Sequence, residues 1–322
     1  MRASSVAGAG VDAAFRADVL AGLAGPIRAV PSRWLYDRRG SELFEQITRL
    51  PEYYLTRTEK RLLEQHCREV AAIAGEDLAV VELGSGASSK TPILLRCIHP
   101  SAYVPIDISG GFLRDSAAAL AAEFPALPIH PVEADFMTSI PLPAAVAAEP
   151  KLGFFPGSTI GNMVPETAVN LLRAFKAALG VGSYLLIGMD RIKDVGVLLR
   201  AYDDSDRVTA AFNLNLLHRI NAELAGTVPI DAFRHRALWN DPKSRIEMHL
   251  EAVRDLSFTV DGRSFQISAG QTIHTENSHK YGAREARLVL RASGWAPVQE
   301  WTDPDQLFAL ILAEAEPPRY AP

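Results

Sequence analysis

The feature that most constrains the fold is the stretch from Val80 to Thr91, VVELGSGASSKT. It begins as a short apolar strand, passes through Gly84 and Gly86, and continues into a predicted helix that runs through Ile98. Glycine lets the backbone turn sharply and approach a ligand closely, because it has no Cβ. The N–H groups at the start of a helix favour an anion, and Lys90 adds a positive charge there. The stretch therefore predicts a nucleotide-like ligand that carries a carboxylate or a phosphate.

Two kinds of ligand loop fit this stretch. A P-loop requires glycine directly before the lysine, where this chain has Ser89, although the apolar run that ends in Asp190 could serve as the metal-binding strand of a P-loop enzyme. A loop for S-adenosylmethionine has the pattern E-x-G-x-G, which is matched by Glu82, Gly84 and Gly86. Glycine pairs after strands are common, so the loop alone leaves both interpretations open.

Predicted strands and helices alternate between Leu78 and Asp190. The predicted strands cover 78–83, 102–108, 129–134, 152–155 and 184–189, and helices are predicted at 112–124 and 165–179. This alternation predicts a doubly wound parallel sheet, in which ligands bind beyond the carboxyl ends of the strands. The residues that follow those ends are Gly84, Gly86, Asp107, Asp135 and Asn162. We therefore expect one ligand-binding rim, with the Asp107 carboxylate suited to accept hydrogen bonds from a ribose diol.

The pattern changes after Asp190. Helices are predicted at 195–202 and 206–224, and alternating apolar residues predict a half-buried strand at 246–253. Asp261-Gly262 predicts a hairpin turn between strands at 256–260 and 264–267. A predicted helix at 283–293 and strands at 296–301 and 307–313 would return to the first sheet as its sixth and seventh strands. The middle of the chain is therefore expected to form a second lobe that could close over the rim.

The composition narrows the class of protein. The chain has 322 residues and a net charge of −5, which gives no general attraction to nucleic acid or to an anionic membrane. No uncharged run approaches the roughly 20 residues of a membrane span, and acidic residues near the start argue against a signal peptide. The two cysteines, Cys67 and Cys97, argue against a disulfide framework and fit a reducing cytosol. We therefore expect a cytoplasmic protein without a nucleic-acid or membrane partner, and a monomeric state is compatible with the sequence.

Several sequence blocks carry a family resemblance when they are taken together. They are Tyr36-Asp37, LPEYYLTRTE at 50–59, ELGSG at 82–86, GSTIGN at 157–162 and ENSHKY at 276–281. In this order they resemble the L-histidine Nα-methyltransferase family of ergothioneine biosynthesis, from about Ser32 to the C-terminus. Fungal tryptophan methyltransferases and the methyltransferase domain of ovothiol enzymes share the fold and many of these blocks.

The resemblance implies an α/β fold, with a Rossmann-like class I methyltransferase sheet and an inserted α+β substrate-binding lobe. We expect an N-terminal helical segment at 1–60 that is part of the substrate lobe, a methyltransferase core at 61–192, the inserted lobe at 193–284, and a C-terminal return to the core sheet at 285–322. The first ten residues are rich in Gly, Ala and Ser, and predict a disordered start.

The resemblance also implies a site for S-adenosyl-L-methionine. The positions in this sequence that match the cofactor site of the family are Tyr36, Gly84, Gly86, Lys90, Asp107, Asp135 and Phe136. Lys90 would meet the methionine carboxylate, and Asp107 would meet the ribose. The adenine would lie against Asp135 and Phe136.

The amino acid site of the family maps to a second set of positions: Tyr53, Gly157, Asn162, Tyr202, Met248, Glu276 and Ser278. Asn162 and Tyr202 would bind the carboxylate of a small amino acid substrate, with Tyr53 and Gly157 near its amine. Of these residues, Tyr53 and Asn162 are the expected catalytic ones. The reaction would align a neutral amine with an already activated sulfonium methyl group, and repeated transfer would give the trimethylated betaine hercynine.

The remaining positions, Met248, Glu276 and Ser278, would surround the substrate side chain. A carboxylate and a hydroxyl suit a neutral imidazole, which offers one hydrogen-bond donor and one acceptor. An indole would prefer an apolar residue in place of Glu276, so the sequence favours histidine over tryptophan. Each residue taken alone also fits a structural role: Glu276 and Ser278 as solvated loop groups, Met248 as core.

Several alternatives remain open from the sequence. The substrate could be tryptophan or a modified histidine, the degenerate loop could belong to a P-loop-like nucleotide hydrolase, or the chain could be a sensor that binds both ligands without turnover. The eight histidines show no metal-ligand spacing, since His274 and His279 would lie between a strand and a loop. We therefore expect no metal site.

Overall fold

The computed structural model describes residues 12–86 and 88–317, so the predicted disordered start lies outside the described residues. The strands are β1 (Ala79–Leu83), β2 (Ala102–Asp107), β3 (Val132–Glu133), β4 (Lys151–Phe155), β5 (Tyr184–Asp190), β6 (Phe233–Asn240), β7 (Arg245–Ala252), β8 (Leu256–Val260), β9 (Arg263–Ile267), β10 (Thr272–His279), β11 (Trp295–Thr302) and β12 (Phe308–Ala315). The helices are α1 (Ala13–Ala24), α2 (Arg38–Ile47), α3 (Tyr54–Ala74), α4 (Thr91–Ile98), α5 (Gly110–Glu123), α6 (Pro165–Leu179), α7 (Val195–Tyr202), α8 (Val208–Glu223) and α9 (Ala283–Ala292).

Seven strands form the central sheet, in the order β11-β12-β5-β4-β1-β2-β3. β1 lies inside the sheet and pairs in parallel with β2 and β4, with Val81 opposite Val104 and Gly153. Both faces of these strands are buried, as the apolar residues at the start of β1 predict. β12 is antiparallel to β5 and to β11, so the predicted return of the tail as the sixth and seventh strands is confirmed.

The third strand is shorter than predicted. The prediction covered 129–134, whereas β3 contains only Val132 and Glu133, with an isolated bridge between Ile129 and Tyr103. Pro131 lies between the bridge and the strand and has no N–H to donate to the ladder, which explains the interruption.

A second, antiparallel sheet is formed by the segment between β5 and α9. Its order is β10-β7-β6, and the hairpin of β8 and β9 lies beside it with the predicted Asp261-Gly262 turn. The sequence patterns predicted β7 but neither β6 nor β10. The sequence TIHTENSH of β10 lacks the alternation of apolar and polar residues that predicts a strand, so Glu276 and Ser278 also fit a loop. The structure shows that they belong to a strand whose polar residues line the cavity.

The N-terminal helices cover the sheet and meet the second lobe. α3 begins at Tyr54, and Tyr54 and Leu55 are already buried in its first turn. α3 packs beside α4, and the structure joins Cys67 of α3 to Cys97 of α4 in a disulfide, with 5.8 Å between the Cα atoms. This bond corrects the expectation from the cysteine count: packing of the two helices brings together residues that the sequence separates by 30 positions.

Within residues 12–86 and 88–317, no helix is both long enough and apolar enough to cross a membrane.

Candidate active site

A cavity of about 940 Å³ lies between the carboxyl ends of the central strands and the antiparallel sheet. Its volume is near the upper end of the range for ligand pockets, about 300 to 1,000 Å³. All the positions predicted for the cofactor and the substrate line this one cavity: Tyr36, Tyr53, Gly84, Gly86, Lys90, Asp107, Asp135, Phe136, Gly157, Asn162, Tyr202, Met248, Glu276 and Ser278. The structure therefore brings the two predicted sets together, and their individual roles remain predictions.

The glycine loop after β1 has the backbone geometry that its sequence requires. Gly84 and Gly86 have φ angles of +66° and +50°, which side chains with a Cβ rarely adopt. The Gly86 N–H donates to Asp107 Oδ2 at 2.9 Å, and the Ser109 N–H donates to Asp107 Oδ1 at 2.8 Å. Each carboxylate oxygen keeps a free lone pair, so the fixed Asp107 side chain can still accept from a diol. The buried Ser85 Oγ lines the same end of the cavity and has no hydrogen-bond partner among the described residues.

Glu82, the acidic residue of the E-x-G-x-G pattern, connects the elements that flank this loop through hydrogen bonds. It is buried, and its Oε2 accepts from Thr91 Oγ1 at 2.8 Å and from the Tyr103 hydroxyl at 2.6 Å. Burial raises the pKa of Glu82 to about 7. The side chain therefore joins β1, β2 and α4 beneath the loop.

We call the part of the cavity around Gly84 and Asp107 the cofactor end and the part around Glu276 the substrate end, after their predicted occupants. Glu59 of α3 connects these two ends. Its carboxylate is fully buried, forms an ion pair with Lys90, and accepts from the Gly157 N–H at 3.0 and 2.9 Å. A Cβ on Gly188 would lie 2.2 Å from Glu59 Oε1, so that glycine makes room for the carboxylate. No sequence motif predicted this role. Glu59 lies four residues after the buried Leu55, on the face of the helix where an apolar residue is expected. An acidic residue at such a position is the signal that could have found it.

Asp135 and Phe136 form the outer corner of the cofactor end. Asp135 Oδ1 accepts from the Met137 N–H at 2.9 Å, and Oδ2 accepts from Arg33 Nη1 at 2.9 Å. The ion pair with Arg33 was not predicted, and it ties the N-terminal segment to the rim. A Cβ on Gly84 would lie 3.7 Å from Cε1 of Phe136, an ordinary van der Waals distance, so the positive φ rather than the ring favours glycine here.

Glu276 is the centre of the substrate end. It is buried on β10, and its Oε1 accepts from Asn162 Nδ2 at 3.2 Å and from the Tyr36 hydroxyl at 3.4 Å. Burial raises the pKa of Glu276 to about 7, while the charge of Lys280 opposes that change. The structure places the Tyr36 hydroxyl beside Glu276, and the predicted role of Tyr36 in binding the cofactor stays a prediction. Its carbonyl faces the other way and accepts from Ser109 Oγ at 2.7 Å.

The aromatic residues of the substrate end pack around Tyr53. Its ring lies edge-on to Phe44 and Tyr202, with centroid distances of 6.2 and 6.4 Å. The Tyr53 hydroxyl has no hydrogen-bond partner within the part of the chain that the structure describes. Burial raises the pKa of Tyr53 well above its usual value, and the neighbouring Tyr202 and Glu276 raise it further. The phenol is therefore neutral at physiological pH and is available to a ligand.

Three possible metal-ligating side chains lie near the cavity, on β7 and β10. Ligating atoms of Glu247, His249 and His274 are within 4.8 Å of one another. The two imidazole rings stack with 22° between their planes, and His274 Nε2 contacts the Glu276 carbonyl at 2.9 Å. Stacked rings direct their nitrogen lone pairs in nearly parallel planes, which do not meet at one ion. We therefore assign no metal to this cluster, and the expected absence of a metal stays a prediction.

Comparison with known proteins places this site in a family. Residues 15–315 match the family described as histidine-specific methyltransferase, SAM-dependent. The chain is 41% identical over 306 residues to the histidine N-alpha-methyltransferase of Mycolicibacterium smegmatis, covering 93% of this chain and 94% of the relative. It is 40% identical over 330 residues to the enzyme of the same name from Mycobacterium tuberculosis, covering 97% of this chain and 99% of the relative.

The structural comparison supports the same fold. The structure of an S-adenosylmethionine-dependent methyltransferase from Clostridium acetobutylicum is similar with a TM-score of 0.51, at 10% sequence identity, over 86% of this chain and 99% of that one. The predicted fold, a class I methyltransferase sheet, is confirmed. The chain therefore belongs to the family of histidine-specific, S-adenosylmethionine-dependent methyltransferases.

Proposed function

We propose that this chain transfers methyl groups from S-adenosylmethionine to the α-amino group of L-histidine, and that the product is the trimethylated betaine hercynine. The observation that carries the proposal is the single cavity of about 940 Å³ that is lined both by Gly84 of the glycine loop and by the buried Glu276. The family supports histidine as the substrate. Relatives named ergothioneine biosynthesis protein 1, from Neurospora crassa and Schizosaccharomyces pombe, support a role in ergothioneine biosynthesis.

The cofactor end fits S-adenosylmethionine on its own chemistry. We propose that Asp107 binds the ribose hydroxyls, that Phe136 and Asp135 meet the adenine, and that Lys90 faces the methionine carboxylate. Lys90 forms an ion pair with Glu59, which fixes the position of its ammonium group. Gly84 and Gly86 let the backbone approach the cofactor.

The substrate end fits a free amino acid. We propose that Asn162 and Tyr202 bind the carboxylate, and that Tyr53 and the Gly157 segment lie near the amine. Met248, Glu276 and Ser278 then surround the side chain. Glu276 Oε1 already accepts from Asn162 and Tyr36, so Oε2 is left to accept the N–H of an imidazole.

We also propose that the N-terminal segment through residue 60 and the inserted residues 193–284 form the substrate lobe, around the core at 61–192 and its C-terminal return at 285–322. The contacts of Tyr36 and Tyr202 at the substrate end support this division. A cytoplasmic location, a monomeric state and the absence of a nucleic-acid partner stay predictions.

The mechanism follows from the charge of the amine. S-adenosylmethionine supplies a methyl group that its sulfonium already activates. An α-amino group has a pKa of about 8, so it must lose a proton before it can act as a nucleophile. The neutral Tyr53 phenol is too weak a base to remove that proton, but its oxygen can accept a hydrogen bond from the amine and orient the lone pair. We propose that Tyr53 and Asn162 position the amine, and that the proton passes to water.

A methylation screen across the common amino acids, with product masses, tests the proposed function. We expect histidine to gain three methyl groups and tryptophan to stay unchanged at the same enzyme concentration. An unchanged histidine mass would refute the substrate assignment, and methylated tryptophan in place of histidine would favour the alternative substrate.

A further inference from the structure

A buried lysine, Lys280, lies behind the substrate end of the cavity and has no role in the function proposed above. Glu276, Ser278 and Lys280 alternate along β10 and the residue that follows it, so their side chains share one face of the strand. The Lys280 side chain is completely buried, and burial lowers its pKa while the ion pair with Asp190 opposes that change. A buried ammonium requires a specific set of acceptors, which the structure provides.

The three hydrogen atoms of the Lys280 ammonium have three partners. Nζ lies 2.9 Å from the Tyr202 hydroxyl, 2.7 Å from Ser278 Oγ and 2.7 Å from Asp190 Oδ2. An ammonium only donates, so both hydroxyl oxygens accept from Lys280. The two hydroxyl oxygens are also 2.6 Å apart, a distance at which one hydroxyl hydrogen must lie between them.

This count leaves a single hydroxyl hydrogen in the pair. Tyr202 and Ser278 have one hydroxyl hydrogen each, and one of the two is used in the bond between them. Because both side chains line the cavity, the remaining hydrogen is available to a ligand there. The pair therefore offers the ligand one hydrogen-bond donor, and Lys280 occupies one lone pair of each hydroxyl oxygen.

Asp190 holds the Lys280 ammonium in place. Asp190 is fully buried, pairs with both Lys280 and Lys193, and accepts from the Tyr54 hydroxyl. Glu276, on the same strand face as Ser278 and Lys280, accepts from Asn162 and Tyr36 through Oε1 and keeps Oε2 as an acceptor when it is ionised.

We propose that Lys280 is a positioning residue that fixes the Tyr202–Ser278 pair as a donor for an acceptor atom of the substrate. This inference rests on the proposed function, in which the acceptor atom is the carboxylate or the unprotonated ring nitrogen of histidine. With Glu276 as an acceptor on the same strand face, the pocket matches the one donor and one acceptor of a neutral imidazole. A cationic imidazolium has no ring acceptor for the free hydroxyl hydrogen of the pair.

The test compares Lys280→Met with the matched control Lys193→Met. Both lysines pair with Asp190, but only Lys280 contacts Tyr202 and Ser278. Calorimetric affinities for histidine and S-adenosylmethionine are measured for both variants. We expect Lys280→Met to weaken histidine binding at least about tenfold, with cofactor binding changed less than about twofold, and Lys193→Met to change neither by more than about threefold. Equal loss of histidine affinity in both variants, or none in Lys280→Met, would overturn the inference.

A double-mutant cycle shows whether Lys280 acts through the hydroxyl pair. Once Ser278→Ala has removed one hydroxyl, we expect Lys280→Met to cost clearly less histidine affinity than it does in the wild type. Additive losses would overturn the inference. Histamine lacks the carboxylate and phenylalanine lacks the ring nitrogen, so the analogue for which the loss disappears identifies the acceptor atom; a full loss with both analogues would again contradict it.

Two further controls keep the result interpretable. If Lys280→Met does not fold, Lys280→Met with Asp190→Asn removes both charges of the buried pair, and the same loss of amino acid affinity is expected. The comparison is made on whichever amino acid the wild type methylates. If the wild type leaves histidine unmethylated, the proposed function is refuted. The inference about Lys280 is judged separately, by comparing the amino acid affinities of Lys280→Met and Lys193→Met.

Discussion

Replacing Glu276 with glutamine separates the stability of the folded chain from its ability to bind histidine. The carboxyl is buried, and burial raises its pKa from an ordinary 4.5 to about 7. Between these two values the folded protein holds a proton that the unfolded chain has already lost. The stability that comes from this proton is present below about pH 4.5 and is lost as the pH rises to about 7. At about 1.4 kcal/mol per pH unit, the loss is about 3 kcal/mol.

Glutamine has the shape of the neutral carboxyl and does not ionise. Both hydrogen bonds from Asn162 and Tyr36 reach the same oxygen, Oε1, so an amide oxygen can accept both. We therefore expect Glu276→Gln to match the wild type in stability near pH 5 and to be more stable by about 3 kcal/mol near pH 8. Urea denaturation of the ligand-free proteins across this range measures the difference.

Histidine binding should change in the opposite direction. In the variant, the amide nitrogen replaces Oε2 and presents donors to the ring N–H, which needs an acceptor. We expect histidine affinity to fall at least about tenfold, measured by calorimetry near pH 8. Glu82→Gln is the matched control, because burial also raises the pKa of Glu82 to about 7 and both of its hydrogen bonds reach one oxygen. It should show the same dependence on pH without the loss of histidine affinity. A stability difference that does not vary with pH would refute the reasoning, and unchanged histidine affinity in Glu276→Gln would refute the placement of the ring.

Three other variants test separate parts of the site. Asp107→Asn should weaken S-adenosylmethionine binding about tenfold and leave histidine affinity within about twofold, because the amide offers the ribose one acceptor fewer; calorimetry with each ligand decides this. Glu276→Ala combined with Met248→Val should lower kcat/KM for histidine and raise it for tryptophan, and an unchanged preference would show that the side-chain pocket is misplaced. Gly188→Ala should destabilise the fold by about 1 to 3 kcal/mol, since its Cβ would lie 2.2 Å from Glu59 Oε1, and a melting temperature equal to that of the wild type would contradict this.

The cofactor end could be predicted from the sequence because its signals are local. A buried strand, two glycines with positive φ and a helix follow one another within the stretch Val80–Ile98, and each has its own sequence pattern. Asp107 could be placed for a related reason. The carboxyl ends of parallel strands meet at one edge of the sheet, so predicting the strands also predicts that the residues at these ends lie close together. Propensity and periodicity act over a few residues, and here they were sufficient for the backbone of the loop, whereas the choice of ligand depended on the family blocks.

The contacts that depend on packing between distant elements could not be predicted in this way. The disulfide of Cys67 with Cys97 requires α3 and α4 to lie side by side, and the Arg33–Asp135 ion pair requires the N-terminal segment to cross the rim. Neither contact follows from the spacing of its residues. The family blocks pointed to the right segments, but they did not show which side chains within a block hold the others in place.

β10 shows why functional residues are difficult to find from hydropathy. Strand prediction depends on an apolar inward face, whereas the inward positions Glu276 and Ser278 are polar and line the cavity. Lys280 and Glu59 are equally difficult to find from hydropathy, because both are charged residues at buried positions. Burial of such groups costs stability unless each hydrogen and lone pair has a partner, and in this chain the partners are other residues of the site. In β10 the positions at which the pattern fails to predict a strand are therefore the positions that give the cavity its polarity, and we propose that this polarity distinguishes a neutral imidazole from an indole.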